Sequence, residues 1–276
     1  MTNYEIEYEK PKNLILVAKK EKKADLLIKN AMVINVFDES IEKMDIAIYD
    51  NRIAGIGNYT EGNIIIDAQT LYVSPTFIDS HLHIESTKLT PFELAKAIIP
   101  LGTGTIVADP HEIANVFGVK GIEFLLECSK TIPLEIFFLA PSCVPATSNE
   151  TNYRTLNYKN LIKLKKYPSI LGLAEVMNYP GILSCEKELL YKIISFKNKI
   201  IDGHCPKLSK ENLNAYICSG IYSDHECTTK EEALEKLSKG MFIMIREGSV
   251  TKDLLNLLPI INDKNKNRIL LCTDDK

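Results

Sequence analysis

The chain is 276 residues long, 45% apolar and 25% charged, with 33 Lys and Arg against 36 Asp and Glu for a net charge of −3. A balance this close to neutral argues against a nucleic-acid backbone or an acidic membrane as the main partner, and no apolar run approaches the ~20 residues that cross a bilayer. Seven scattered cysteines, none spaced as CxxC, and no basic-then-apolar leader after Met1 predict a reduced, cytoplasmic protein.

Residues 1–23 are polar and Lys-rich, ending in Lys19-Lys20-Glu21-Lys22-Lys23, and read as a solvated helix face. From residue 24 to about residue 75 the pattern shortens to β-branched strands, at 25–29, 32–36, 45–49 and 64–67, separated by turn formers such as Asp50-Asn51-Arg52. This stretch predicts a small β-domain. From residue 76 apolar strands alternate with longer amphipathic stretches. Strand candidates are 77–80, 105–108, 134–140, 170–174, 199–202, 221–223, 241–245 and 268–272, and each ends in polar or ionisable residues. The intervals from His83 through His111, Ser142, Glu175, His204, His225 and Glu247 to Asp274 run from 21 (204 to 225) to 33 (142 to 175) residues. Eight continuous apolar strands, each followed by a helix-length segment, predict a parallel (β/α)8 barrel over 76–276. An open doubly wound sheet would want a Gly-rich phosphate turn after its first strand, where this sequence has a His pair.

All five histidines (81, 83, 111, 204 and 225) fall at strand C-terminal ends, the face on which such barrels build their sites. His81 and His83 are i and i+2, so on an extended segment their rings share a side and can hold one cation. His204 and His225 lie one βα unit apart, and Asp274 comes from the last strand, beside the first. Two His pairs with carboxylates suit two divalent cations, with Mn, Fe or Zn favoured by imidazole and oxygen donors. His111 is the weakest member, since Asp109-Pro110-His111-Glu112 reads as a turn. A carboxylate should bridge the cations, and Glu112 and Glu175 are rival candidates that spacing does not separate. Asp274 can both bind a cation and move a proton. Glu85 is a substrate contact or the start of a helix, and Asp275 lies behind the site or in solvent. Cys143 and Cys227 lie near it without a base to make either a nucleophile. The HxE…PCxxC signature of the small zinc nucleoside deaminases is absent.

The segment Val73-Ser74-Pro75-Thr76-Phe77-Ile78-Asp79-Ser80-His81-Leu82-His83-Ile84-Glu85-Ser86 resembles the first barrel strand of the amidohydrolase superfamily. Within it, Ala108-Asp109-Pro110-His111-Glu112, Ala140-Pro141-Ser142-Cys143-Val144-Pro145, Glu175-Val176-Met177-Asn178, Ser223-Asp224-His225-Glu226-Cys227 and Leu271-Cys272-Thr273-Asp274-Asp275 are similar to the adenine deaminases. The resemblance runs from about residue 24 to the end. It implies a (β/α)8 barrel flanked by a small β-sandwich, of which 24–75 is part, and metal-dependent conversion of adenine and water to hypoxanthine and ammonia in purine salvage. It also implies cation binding by His81, His83, His204, His225 and Asp274, with Glu175 and Asp274 as acid/base groups. A homo-oligomer is compatible with it. Two positions depart from the pattern: Thr76 stands where the superfamily usually has Gly, and Gly104 stands in a stretch the family usually fills with Thr. Members are roughly twice as long, so the chain is expected to lack the last barrel helix and the remaining sandwich strands. Rival readings are another amidohydrolase reaction, such as deacetylation or cyclic-amide hydrolysis, and a metal-binding fragment that needs a partner. The first would want an Arg or Lys cluster at the strand ends, where Arg246 is the obvious candidate.

Overall fold

A computed structural model describes residues 3–276, which divide between Pro75 and Thr76 into two compact units.

The first unit begins with helix α1 (Asn3–Ala18), then strands β1 (Ala24–Ile34), β2 (Ile41–Tyr49), β3 (Arg52–Gly57), β4 (Gly62–Asp67) and the short β5 (Tyr72–Val73). They form one sheet in the order β3-β2-β1-β4, with β5 also on β1. The two strands expected at 25–29 and 32–36 are a single strand interrupted by a bulge, where Asn30 adopts φ +56°. The Asp45 carboxylate satisfies that irregularity by accepting from Asn30 N at 2.9 Å and Tyr59 N at 3.1 Å. Asp50 and Asn51 both have positive φ, as the tight β2–β3 hairpin requires. Helix α1 buries Val17 against Ala24, Leu27, Ala47 and Tyr59, so this segment is more than a solvated face. The described residues of this unit form one sheet, without the second layer a sandwich would have.

The second unit alternates strand and helix: β6 (Phe77–Leu82), α2 (Pro91–Ile98), β7 (Thr103–Ala108), α3 (His111–Phe117), α4 (Val119–Cys128), β8 (Glu135–Ala140), α5 (Tyr158–Leu164), β9 (Ile170–Val176), α6 (Tyr179–Leu183), α7 (Lys187–Ser195), β10 (Ile200–Gly203), α8 (Lys210–Cys218), β11 (Ser223–Asp224), α9 (Lys230–Ser238), β12 (Phe242–Arg246), α10 (Leu254–Leu257) and β13 (Ile269–Cys272). Five strands pair in the order β10-β9-β8-β7-β6 and three in the order β11-β12-β13, parallel throughout. The two runs meet at both ends. Asp274 N donates to His81 O at 2.9 Å and His83 N to Asp274 O at 3.3 Å, carrying the end of β13 onto β6. At the other seam Gly203 N donates to Ser223 Oγ at 3.2 Å, and that hydroxyl to Asp202 at 2.6 Å. The result is an incomplete (β/α)8-type barrel, with Leu271 of β13 exposed.

The apolar runs of these strands are explained by burial on both faces: Ile106, Phe138, Ile170 and Leu173 join Ile122, Leu161 and Leu213 from the helices in one core. The two positions expected to depart from the family pattern, Thr76 and Gly104, lie against one another. A Cβ on Gly104 would lie 2.4 Å from Thr76 Oγ1, so the larger residue at 76 requires the smaller one at 104.

Candidate metal centre at the strand ends

Apart from Glu112, each expected ligand lies at or just past the C-terminal end of its strand. His81 ends β6 and His83 follows it. Glu175 sits in the last turn of extended chain of β9, His204 and His225 follow β10 and β11, and Asp274 follows β13. Asp274 adopts φ +57°, a conformation tolerated by Asp. Its backbone is bonded to β6 on both sides while its carboxylate turns inward. Thr273 beside it is fixed to Asp79, its N–H at 3.1 Å and its hydroxyl at 2.5 Å.

The side chains converge in two groups. His81 Nε2 and His83 Nε2 lie 3.3 Å apart, with Asp274 Oδ1 at 3.7 Å and 3.1 Å from them. Across from them His204 Nδ1 and His225 Nε2 lie 2.6 Å and 3.3 Å from Glu175 Oε2. Glu175 Oε1 turns the other way, 3.5 Å from His83 Nε2 and 3.9 Å from His81 Nε2. One carboxylate therefore presents one oxygen to each group.

These donors fit divalent cations. The Nδ1 atoms of His81 and His83 face acceptors, Asp202 Oδ2 at 2.8 Å and Asp109 O at 3.0 Å, which assigns their protons to Nδ1. Their Nε2 lone pairs then point at each other inside a buried site, an arrangement that positive charge between them stabilises. Electrostatics agree. Burial by itself would lower the His81 pKa, but the hydrogen bond and charge of Asp202, with Glu175 and Asp274 behind it, raise it to about 10. Burial would raise Glu175, but hydrogen bonds from His204 and His225 hold it well below the usual carboxylate range. Asp274 is likewise held low, against burial, by His83 and the neighbouring imidazoles. The cluster is a place where a cation, or failing that a proton, is strongly favoured.

Comparison with known proteins decides the family. Residues 72–276 match the amidohydrolase family. The chain belongs to the amidohydrolase family. Among curated relatives, it is 51% identical to the adenine deaminase of Kosmotoga olearia over 96% of its own length, and 52% identical to that of Thermosipho melanesiensis over 97%. The chain spans about half the length of these relatives, 46% and 47% respectively. Among solved structures, a variant of the atrazine chlorohydrolase from Arthrobacter aurescens TC1, complexed with zinc and atraton, superposes with a TM-score of 0.65 at 13% identity, covering 90% of this chain and 72% of that one. This last likeness is one of fold.

Within this amidohydrolase site the two rival bridging carboxylates separate. Glu112, expected as a metal ligand and rival bridge, is exposed on the first turn of α3 and belongs to none of the ligand groups among the described residues, so the structure does not bring it to the centre. The cause is local. Strand β7 ends at Ala108 and the chain coils into α3 at His111, which swings Glu112 outward, whereas β9 stays extended through Glu175. His111 stays at the site's edge, its Nδ1 3.0 Å from Asp109 and 3.5 Å from Glu175 Oε1. Glu85 accepts from Ile113 N at 3.0 Å, so it caps the start of α3. Asp275 is exposed and accepts from Ser86. Cys143 is buried, and burial pushes its thiol up to about 11, so it is not a nucleophile at neutral pH. Arg246, the one cation considered for an anionic substrate, is consumed by carboxylates: Asp274 at 3.0 Å, Asp253 at 3.4 Å, and Glu226.

Four aspartates escaped the sequence reading: Asp79, Asp109, Asp202 and Asp224, each of which orients a centre residue or its neighbour. The signal was present. Asp79-Ser80-His81, Asp109-Pro110-His111 and Asp202-Gly203-His204 repeat Asp-x-His, and Asp224 directly precedes His225. A ligating imidazole needs a fixed ring and tautomer, and a nearby acceptor supplies both.

Proposed function

We propose that this chain carries the catalytic barrel of an adenine deaminase, over 76–276, with 24–75 as the first part of a small β-sandwich. The observation that carries the reading is the 51–52% identity to adenine deaminases across 96–97% of the chain. The engagement of Arg246 by three carboxylates supports it, because this guanidinium is not left for the anionic group of an amino-acid or phosphate substrate. A neutral purine makes no such demand.

Two divalent cations, Mn foremost with Fe and Zn as alternatives, would be held by His81, His83 and Asp274 on one side and His204 and His225 on the other, with Glu175 shared. When bound they would lower the pKa of water from about 15.7 toward about 7, making a nucleophile at neutral pH. Both carboxylates are held ionised, so neither stores a proton before water arrives. As water adds to C6 of adenine, Glu175 carries one of its protons to the ring nitrogen beside C6. Asp274 carries the other to the departing amine. The products are hypoxanthine and ammonia, with every atom of water accounted for. All seven cysteines are free, which supports a reducing compartment, the cytoplasm. No helix of the described residues is long and apolar enough to cross a membrane.

The test is release of ammonia and hypoxanthine from adenine by the Mn-loaded chain, alone and mixed with the remaining portion of a curated relative. Deamination in either arm supports the reading. Hydrolysis of acylated amino acids or cyclic amides, with none of adenine in either arm, overturns it.

A further inference from the structure

Three polar side chains on successive helices are fully or almost fully buried and have no part in the chemistry above. Lys192 on α7 donates to Ser142 O at 2.7 Å, and the Ser142 hydroxyl donates to Glu175 O at 2.5 Å. Tyr216 on α8 donates to Val176 O at 2.8 Å and accepts from His204 N at 2.9 Å. Lys236 on α9 donates to Cys205 O at 2.8 Å, Asp224 Oδ2 at 2.9 Å and Glu232 Oε1 at 2.7 Å. Asp224 in turn accepts from Cys205 N at 2.8 Å and Glu226 N at 3.1 Å. The Ser142 hydroxyl, Tyr216 and Lys236 make contacts on Glu175 and His204 themselves or on Val176, Cys205 and Asp224 beside the three ligands, and Lys192 holds the Ser142 backbone behind Glu175. Tyr216 ties the end of β9 to that of β10 and Lys236 the end of β10 to that of β11, while Lys192 holds Ser142, whose hydroxyl ties the end of β8 to β9.

We infer that Lys192, Tyr216 and Lys236 are positioning residues that fix the distances among Glu175, His204 and His225 by holding the backbone at the strand ends, and so set the affinity of the second cation site. This rests on the two-cation reading above. The need for such a device follows from what the rings lack. His225 Nδ1 is buried without a hydrogen-bond partner, and His204 is partly exposed. Neither ring has the acceptor on its far nitrogen that aims His81 and His83, so the placement of these two depends on the backbone. Burying two ammonium groups and a hydroxyl is costly unless they are hydrogen-bonded, and each of the three donates to a group at a strand end.

The test is cation binding by the folded chain. Tyr216→Phe keeps the ring in the core and removes only the hydroxyl, and Lys236→Met keeps the stem and removes the charge. Mn titration, at matched folded fraction by circular dichroism, should give two sites in the wild type. In both variants the second site should weaken by about 10- to 100-fold, the range for lost orienting partners, with the first unchanged. Lys236→Arg, which keeps charge and donors, should recover part of the loss. Where Lys236→Met does not fold, Tyr216→Phe decides alone. Two unchanged sites in Tyr216→Phe would overturn the inference while leaving the two-cation reading intact. A wild type that binds fewer than two cations would overturn that reading itself.

Discussion

The two halves of the centre use the same residue types but are built differently. On the β6 side, His81 and His83 are buried and each ring is aimed by its own acceptor, the Asp202 carboxylate and the Asp109 carbonyl. On the β10–β11 side the rings carry no such partner, and buried side chains from α7, α8 and α9 hold the backbone instead. The difference teaches that a ligand can be oriented through its ring or through its chain. The first is local and sensitive to one partner; the second is spread over several helices. Glu175 joins the two regimes, one oxygen toward each.

The largest effect is expected where the halves meet. Glu175→Gln removes the charge both groups share, so both cations should weaken and turnover should fall by at least the roughly 10²–10⁴-fold worth of a positioned proton carrier. Cation titration beside a rate assay checks this. Asp274→Asn keeps an oxygen toward His83, so most cation should stay bound while deamination falls by a similar 10²–10⁴-fold; wild-type rates would refute its role. Asp202→Asn acts first on the ring-aimed half, and because Asp202 also holds Ser223 at the β10–β11 seam, the first cation should weaken by about 10- to 100-fold and the second by less. A pH series sharpens the same point. The folded pKa of His81 is raised from 6.5 to about 10, so its imidazolium stabilises the metal-free protein fully below about pH 6.5, and this stability is lost as pH rises through about 10. The melting temperature of the metal-free protein should therefore fall over that window, and less so in Asp202→Asn. The smallest effect is expected at Glu112. Glu112→Gln should leave cation binding and rate unchanged and alter stability by no more than about 0.5 kcal/mol.

The sequence made the barrel legible because its apolar strands recur with a helix between them, and because the histidines mark the strand ends. It left Glu112 and Glu175 undecided, since both follow an apolar strand. What separates them is how long each strand stays extended, a matter of tertiary pairing, as β9 lies between β8 and β10 through this stretch. Strand β3 was missed because Arg52-Ile53-Ala54-Gly55-Ile56-Gly57 is glycine-rich and reads as a turn. The helix-borne Lys192, Tyr216 and Lys236 were illegible for a different reason. Lys and Tyr on an amphipathic helix normally face solvent or snorkel, and only the packed structure puts these under the strand ends.

The central claim is that Glu175 joins two cation sites across the barrel mouth. Electron paramagnetic resonance of the Mn-loaded chain tests it most directly. The account expects two Mn per chain with an exchange-coupled signal that collapses in Glu175→Gln. Two uncoupled Mn signals in the wild type, or coupling that survives the substitution, would contradict it.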